Sequence, residues 1–141
     1  MGNKIKFTKS AGGIIVNKDG KIAVVLQLRN STWSFPKGHI DKEEEALNTA
    51  KREILEETGI NKIKLTKKLG EYTRCNMKEG GLEDTRELKT IIMFLFRTTQ
   101  DIKDYNSKEI GEVRWLKKDE VVKLLSHPKD KEFFRNYIKE I

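Results

Sequence analysis

A single segment, DKEEEALNTAKREILEETG at residues 41–59, constrains the fold of this chain more than any other. Most of its residues favour helix, and its apolar residues recur at spacings of three and four, which describes one buried stripe: Ala46, Leu47, Ala50 and Ile54. Asp41 suits the N-cap, with Glu44 closing a capping box, and Gly59 suits a left-handed C-cap. The segment therefore predicts a helix over residues 42–58.

Strand patterns lie on both sides of this helix. Before it, β-rich runs at 13–16 and 22–28 are joined by the turn at 17–20, and Pro36 with Gly38 predicts a loop over 31–40. After it, strands are predicted at 63–72, 88–98 and 113–116, with a hairpin tip at Gly80-Gly81 and with 91–96 buried on both faces. Helices are predicted at 118–127 and 132–141. This order indicates an α/β fold, a mixed sheet covered by helices, in one domain of residues 1–141.

Composition narrows the compartment and the class of partner. The chain has 29 Lys and Arg against 22 Asp and Glu, a net charge of +7, which favours an anionic partner rich in phosphate. Cys75 is the only cysteine, so an intramolecular disulfide is excluded and a cytoplasmic location is expected. No run of 18 apolar residues predicts a membrane span, and His39 and His127 give no zinc spacing with Cys75.

Three carboxylates crowd one edge of the predicted helix. Glu53, Glu56 and Glu57 lie within about 100° of one another around a helix axis, close to the C-terminal end where the helix dipole disfavours anions. Like charges at these spacings destabilise a helix by a few tenths of a kcal/mol per pair. Two interpretations stay open at this point: a solvated acidic face neutralised by nearby lysines, or a site for a hard divalent cation such as Mg²⁺ or Mn²⁺.

The residues around these carboxylates resemble one family signature. It reads Gly38, five residues, Glu44, seven residues, Arg52-Glu53-Ile54, one residue, Glu56-Glu57, one residue, Gly59-Ile60. This pattern is that of the Nudix hydrolases, and the resemblance implies an α/β/α sandwich with a mixed sheet and a loop–helix–loop that holds Mg²⁺ or Mn²⁺ against a pyrophosphate.

The same resemblance assigns roles to individual residues. It implies that Glu56 and Glu57 are the main metal ligands, that Glu53 and the Gly38 carbonyl are further ligands, and that Arg52 orients a glutamate. For Glu44 the capping role suffices. A general base is expected either from the signature at residues 38–60, called the box from here on, or from a later loop. In that loop Glu109 resembles such a glutamate, and this residue is also a candidate metal ligand. Glu112 is the competitor, and its alternation with Arg114 is typical of an exposed strand position.

The stretch before the box bears on the substrate. TWSFPKGHI resembles the dinucleoside polyphosphate hydrolases within the family, whereas RNA 5′-pyrophosphohydrolases usually carry glutamine and glycine in place of Lys37 and His39. Substrate contacts are expected from Lys37, His39, Lys89 and Arg29, with Arg74 and Arg86 as further cations and Tyr72 as a base-stacking candidate. The alternative for the arginines is a solvated surface position.

These residues support three functional hypotheses. The first is metal-dependent, asymmetric hydrolysis of diadenosine tetraphosphate or a longer homologue. The second, in the same enzyme class, is a pyrophosphohydrolase of nucleoside triphosphates, RNA 5′ ends or diphosphoinositol polyphosphates. The third is a nucleotide-sensing binding module without turnover, which has no need of the full carboxylate set. The expected partner is a small nucleotide or polyphosphate, with nucleic acid only as RNA 5′ ends, no membrane, and a monomer or homodimer as the assembly.

Overall fold

A computed structural model of the chain describes residues 4–78, 82–103, 105 and 107–141. The elements follow one another in this order: β1 (Lys6–Val16), β2 (Ile22–Gln27), β3 (Thr32–Ser34), β4 (Lys37–His39), α1 (Ala46–Thr58), β5 (Lys64–Met77), β6 (Glu83–Arg97), β7 (Ile110–Leu116), α2 (Lys118–Leu124), α3 (Pro128–Tyr137) and a closing 3₁₀ turn (Ile138–Glu140). The hairpin tip predicted at Gly80-Gly81 lies outside the described residues.

The strands form one seven-stranded sheet with both parallel and antiparallel pairs. Its main order is β3-β2-β1-β6-β5, with β4 added to β1 and β7 added to β2. The parallel pair is β1 with β6, and the remaining pairs are antiparallel. The prediction of a mixed sheet is confirmed, as is the hairpin in which Val16 of β1 pairs with Ile22 of β2.

Both faces of the sheet are covered, because its central strands are apolar on both sides. In β6, Ile91, Met93 and Leu95 face one core while Phe94 and Phe96 face the other, as predicted for a strand buried on both faces. The first core also holds apolar side chains of α2, its C-cap and α3, namely Val121, Leu125, Phe133 and Phe134. The second holds those of α1, namely Ala50 and Ile54. The α/β/α sandwich is therefore confirmed.

The predicted bounds differ from the structure at several points. Helix α1 begins at Ala46 with Glu45 as its N-cap, so the capping box at Asp41 is wrong. The Glu44 carboxylate does accept from the Asp41 amide, but it also accepts from Thr49 and Arg52, and these contacts keep residues 41–45 out of the helix. The C-terminal prediction is confirmed, because Gly59 has φ 75° and donates to the Leu55 carbonyl at 2.9 Å.

Other predicted bounds also differ, because β5 continues to Met77, β6 begins at Glu83, β7 begins at Ile110 and α3 runs from Pro128 to Tyr137. The differences before α1 are larger. Strand β1 begins at Lys6 instead of residue 13, since it pairs with β6 along its whole length. The segment at 31–40 is not a plain loop, because it contains β3 and β4, which pair with β2 and β1. The second of these pairings brings Lys37 opposite Gly12 and Gly38 opposite Ala11, and it places the stretch before the box at the edge of a cleft.

Candidate active site

A cleft of about 450 Å³ opens where α1 meets β4, β5 and β6. Most of the residues that the sequence singles out line it: Arg29, Lys37, Gly38, His39, Arg52, Glu53, Glu57, Lys89 and Glu109. Glu56 and Tyr72 are not among the lining residues. One fold therefore gathers side chains from distant parts of the sequence into a cavity with an acidic and a basic wall.

The acidic wall begins where Glu53 packs against the backbone of β4. A Cβ atom at Gly38 would lie 2.1 Å from the Glu53 Cδ atom and 2.2 Å from its Oε1 atom, far inside van der Waals contact. Glycine at this position thus lets the Glu53 carboxyl group lie directly over the strand. The carboxyl group therefore lies in close contact with the Gly38 backbone.

Glu57 is the most buried carboxylate of the box, with 5% of its surface exposed. The Glu53 side chain lies near it in the lining of the cleft. Burial raises the pKa of Glu57 well above its ordinary value, and burial followed by the charge of Glu56 raises the pKa of Glu53. Two neighbouring carboxyl groups whose pKa values are both raised supply oxygen atoms that a divalent cation would hold in the ionised form.

Arg52 connects the loop before α1 to this carboxylate pair. Its Nε and Nη2 atoms donate to the two oxygens of Glu44, each at 2.9 Å, and its Nη1 atom donates to Glu53 at 2.9 Å and to Glu56 at 3.3 Å. Nη2 also reaches the carbonyl of His39 at 3.2 Å. Hydrogen bonds from Arg52 lower the pKa of Glu44 to about 2. Arg52 therefore fixes the orientation of Glu53 while Glu44 fixes Arg52.

Glu56 lies outside the cleft on the exposed edge of α1. Its side chain is 48% exposed and is held by Arg52. In the described residues, no group of three His, Cys, Asp or Glu side chains converges in a metal-ligating arrangement. The acidic wall instead offers the two carboxylates of Glu53 and Glu57, and so small a set fits a cation such as Mg²⁺ that retains several waters.

Cations of β4, β5 and β6 form the basic wall of the cleft. Burial and then the charge of the neighbouring Arg74 lower the pKa of Lys37 to about 7. Burial and then Arg74 lower the pKa of Lys89, whose Cα atom is paired with that of Arg74 across the β5–β6 ladder. Burial and then Lys89 lower the pKa of His39. Positive groups held this close repel one another, so the wall is suited to a multiply charged anion.

Of the remaining predicted residues, some line the cleft and others lie on the surface. Glu109 lines the cleft, and its carbonyl accepts from the Leu28 amide at 2.8 Å, which fixes the loop before β7. Glu112 instead forms an exposed ion pair with Arg114. Arg86 is exposed and makes two hydrogen bonds to Asp84, so it belongs to the surface of the β6 end.

Tyr72 does not reach the cleft. Its ring stacks on Phe133 of α3 with centroids 4.5 Å apart, and its hydroxyl donates to Asp130 Oδ1 at 2.6 Å. Several cleft residues were not among the sequence-predicted contacts, and Gln27 and Asn76 are two of them. Gln27 donates to Glu57 at 3.5 Å. The sequence feature that could have identified it is a polar residue at the end of an apolar strand. Asn76 of β5 had no such signal.

Comparison with known proteins identifies the family. The family model described as NUDIX domain matches residues 6–137. The chain belongs to the Nudix hydrolase family. A protein named RNA pyrophosphohydrolase from Pelagibacter ubique (strain HTCC1062) is 30% identical over 136 residues, which cover 87% of this chain and 85% of that protein. The chain spans less than half the length of other curated relatives, such as the RNA pyrophosphohydrolases of Bartonella bacilliformis and Bartonella tribocorum, at 45% and 42%.

Solved Nudix structures share the fold. The MutT protein from Methanosarcina mazei Go1 superposes with a TM-score of 0.79 at 22% identity, covering 96% of both chains. The Caenorhabditis elegans Ap4A hydrolase binary complex superposes with a TM-score of 0.76 at 20% identity, covering 94% of this chain and 96% of that one. Members of the family generally use divalent metal ions. Across the described ranges, no helix has the length and apolar character needed to cross a membrane.

Proposed function

We propose that this Nudix protein is a metal-dependent pyrophosphohydrolase that cleaves a nucleoside diphosphate linked to another group. The observation that carries the proposal is the meeting of two opposite walls in one cleft. Glu53 and Glu57 line the cleft together with Lys37, whose positive charge lies close enough to Glu57 to act on the pKa of that carboxyl group. A cation on one side and phosphates on the other would neutralise both walls at the same point.

The residues that would hold the cation are Glu53, Glu57 and the carbonyl of Gly38, with Glu56 beside them on the helix edge. We take the ion to be Mg²⁺ or Mn²⁺, which lowers the pKa of a bound water and neutralises the phosphate oxygens. Arg52 keeps Glu53 oriented through their 2.9 Å hydrogen bond. Pre-set ligands of this kind lower the reorganisation that accompanies reaction.

The proton of the attacking water needs an acceptor. We assign it to Glu109, because this glutamate lines the cleft and its side chain is in no ion pair among the described residues. The competing assignment is a glutamate of the box. Glu109→Gln should then lower kcat by about 10²- to 10⁴-fold without weakening the binding of Mn²⁺. Loss of Mn²⁺ affinity in this variant would make Glu109 a metal ligand instead.

The substrate that the basic wall favours is a dinucleoside polyphosphate, such as diadenosine tetraphosphate. Lys37, Lys89 and Arg74 adjoin one another, and Arg29 and His39 line the same cleft. A chain of four phosphates carries enough charge to engage several of these cations together, whereas a diphosphate engages fewer. The Lys37-Gly38-His39 stretch supports the same choice by its resemblance to that group. Asymmetric cleavage would leave ATP as one product.

A second candidate is the 5′ end of RNA. Its support is the relative from Pelagibacter ubique, which is named RNA pyrophosphohydrolase and aligns over 87% of this chain. Lys37 and His39 count against it, because they replace the glutamine and glycine usual in that group. Both candidates place a triphosphate or longer chain against the same wall, so they differ in what lies beyond the phosphates.

Product analysis in ¹⁸O-labelled water tests the proposal. Diadenosine tetraphosphate, 5′-triphosphorylated RNA, nucleoside triphosphates and a diphosphoinositol polyphosphate would be incubated with Mg²⁺ or Mn²⁺. Glu57→Gln serves as the inactive variant, and Glu132→Gln as its matched control, since Glu132 is exposed on α3. ATP and labelled AMP from the dinucleotide would support the leading candidate. Preferential turnover of RNA would select the second, and tight binding without turnover of any substrate would leave a binding module.

A further inference from the structure

Arg74 stands apart from the other cations of the cleft because it is buried. Only 7% of its side chain is exposed, yet it lines the cleft beside Lys37 and Lys89. Its Nη1 atom donates to the Cys75 carbonyl at 3.1 Å. The guanidinium thus lies among the cations that line the cleft, where a phosphate is the ligand that its chemistry favours.

Asp130, in the first turn of α3, holds the other side of this guanidinium. Its Oδ1 atom lies 3.1 Å from Arg74 Nε, and 99% of the aspartate side chain is removed from solvent. Tyr72 donates to the same Oδ1 atom at 2.6 Å, and its ring stacks on Phe133. The aspartate is therefore fixed from two sides by residues of β5.

Stability alone gives little reason for this arrangement. Asp130 Oδ2 is buried without a hydrogen-bond partner among the described residues, and the contact at Arg74 Nε lacks good hydrogen-bond geometry. A buried ion pair with unsatisfied atoms stabilises a fold poorly, and an apolar replacement of similar volume is often as stable. What the pair does achieve is to hold a buried arginine at one position beside two lysines.

Resting on the function proposed above, we propose that Asp130 is a positioning residue that sets Arg74 for a phosphate beyond the scissile diphosphate. Arg74 supplies the contact and Asp130, braced by Tyr72, orients it. Helix α3 is thereby coupled to the cleft. Since the metal-binding carboxylates lie on α1, this pair acts on the affinity for long phosphate chains and leaves metal binding unaffected.

A double-variant cycle tests this inference on the whole chain. Arg74→Met, Asp130→Asn and the double variant would be compared by the Kd for inorganic tripolyphosphate, by KM and kcat, and by Tm. Each single change should weaken tripolyphosphate binding about tenfold and raise KM more than it lowers kcat. The double variant should bind no more weakly than Arg74→Met alone. Tyr72→Phe, which removes one hydrogen bond to Asp130, should give a smaller shift in the same direction.

The outcomes separate this inference from the function on which it rests. If Asp130→Asn lowers Tm but binds tripolyphosphate as the wild type does, Asp130 is only structural and the inference is overturned. Effects that multiply in the double variant would also overturn it. Should a single variant not fold, the double variant, which removes both buried charges, and Tyr72→Phe still decide the question. If tripolyphosphate binding depends on both residues but the protein turns over no substrate, the proposed function is refuted and the inference is supported.

Discussion

Gly38→Ala is the substitution whose effect on the reaction rate can be estimated most directly from the structure. The added Cβ atom would lie 2.1 Å from Glu53 Cδ, and carbon atoms in contact are about 3.5 Å apart, so the carboxyl group must move by more than about 1 Å. A misplacement of that size costs about 10²-fold in rate, or about 2.7 kcal/mol of transition-state stabilisation. The fold itself should tolerate the change, because the Glu53 side chain can swing outward.

The assay is kcat/KM for the best substrate of the panel at saturating Mg²⁺, together with Tm. Gly111→Ala is the matched control, since its Cβ would meet Leu28 Cδ2 at 2.5 Å, and that side chain is 53% exposed and free to move. The control should keep wild-type kcat/KM. A second comparison uses Glu53→Asp, whose shorter side chain relieves the overlap, so that Gly38→Ala should cost much less in that background.

The result that would refute this reasoning is a Gly38→Ala variant with unchanged kcat/KM and unchanged metal affinity. It would mean that the position of Glu53 against β4 does not matter for turnover. A large fall in Tm with normal specific activity would assign Gly38 to folding alone.

Three further predictions concern residues around Glu53 and Glu57. Arg52 lowers the pKa of Glu44 to about 2 from an ordinary value of 4.5, so their contact stabilises the fold above about pH 4.5, and this contribution is lost as pH falls toward 2. Glu44→Gln should lower Tm at pH 6, and the difference from wild type should close near pH 2; a constant difference would contradict the ion pair. Glu56→Gln should cut turnover by orders of magnitude while unfolding free energy stays within about 0.5 kcal/mol or rises, because that side chain is 48% exposed beside like charges; a large loss of apo stability would favour a structural ion pair. Lys37→Ala should raise KM for diadenosine tetraphosphate more than for a short diphosphate, and equal effects would count against the long substrate.

Local patterns in the sequence predicted those parts of the fold that short-range physics decides. The body of α1 and its Gly59 cap follow from helix periodicity and from the left-handed conformation that glycine adopts easily. The start of α1 did not follow, because Glu44 is drawn to Arg52, eight residues away, by two hydrogen bonds of 2.9 Å. A tertiary contact of this kind overrides a run of helix-forming glutamates.

In the candidate site, too, local sequence patterns predicted some residues and tertiary contacts decided others. Spacing alone placed Glu53 and Glu57 on one edge, and the fold brings both into the cleft, with Glu57 buried. Residue spacing could not show that the Tyr72 hydroxyl donates to Asp130, 58 positions further along the chain. The packing of α3 on β5 decides that contact. The contact also removes one face of the Tyr72 ring from any base, since Phe133 already stacks on it.

Binding of Mn²⁺, measured by calorimetry without substrate, tests the central claim most directly. The claim is that the buried Glu53 and Glu57 carboxyl groups hold a divalent cation against the Gly38 backbone. Wild-type protein should bind Mn²⁺, Glu57→Gln should bind it at least about tenfold more weakly through the loss of a charged ligand, and Glu132→Gln should match the wild type. Equal Mn²⁺ affinity in wild type and Glu57→Gln would contradict the account.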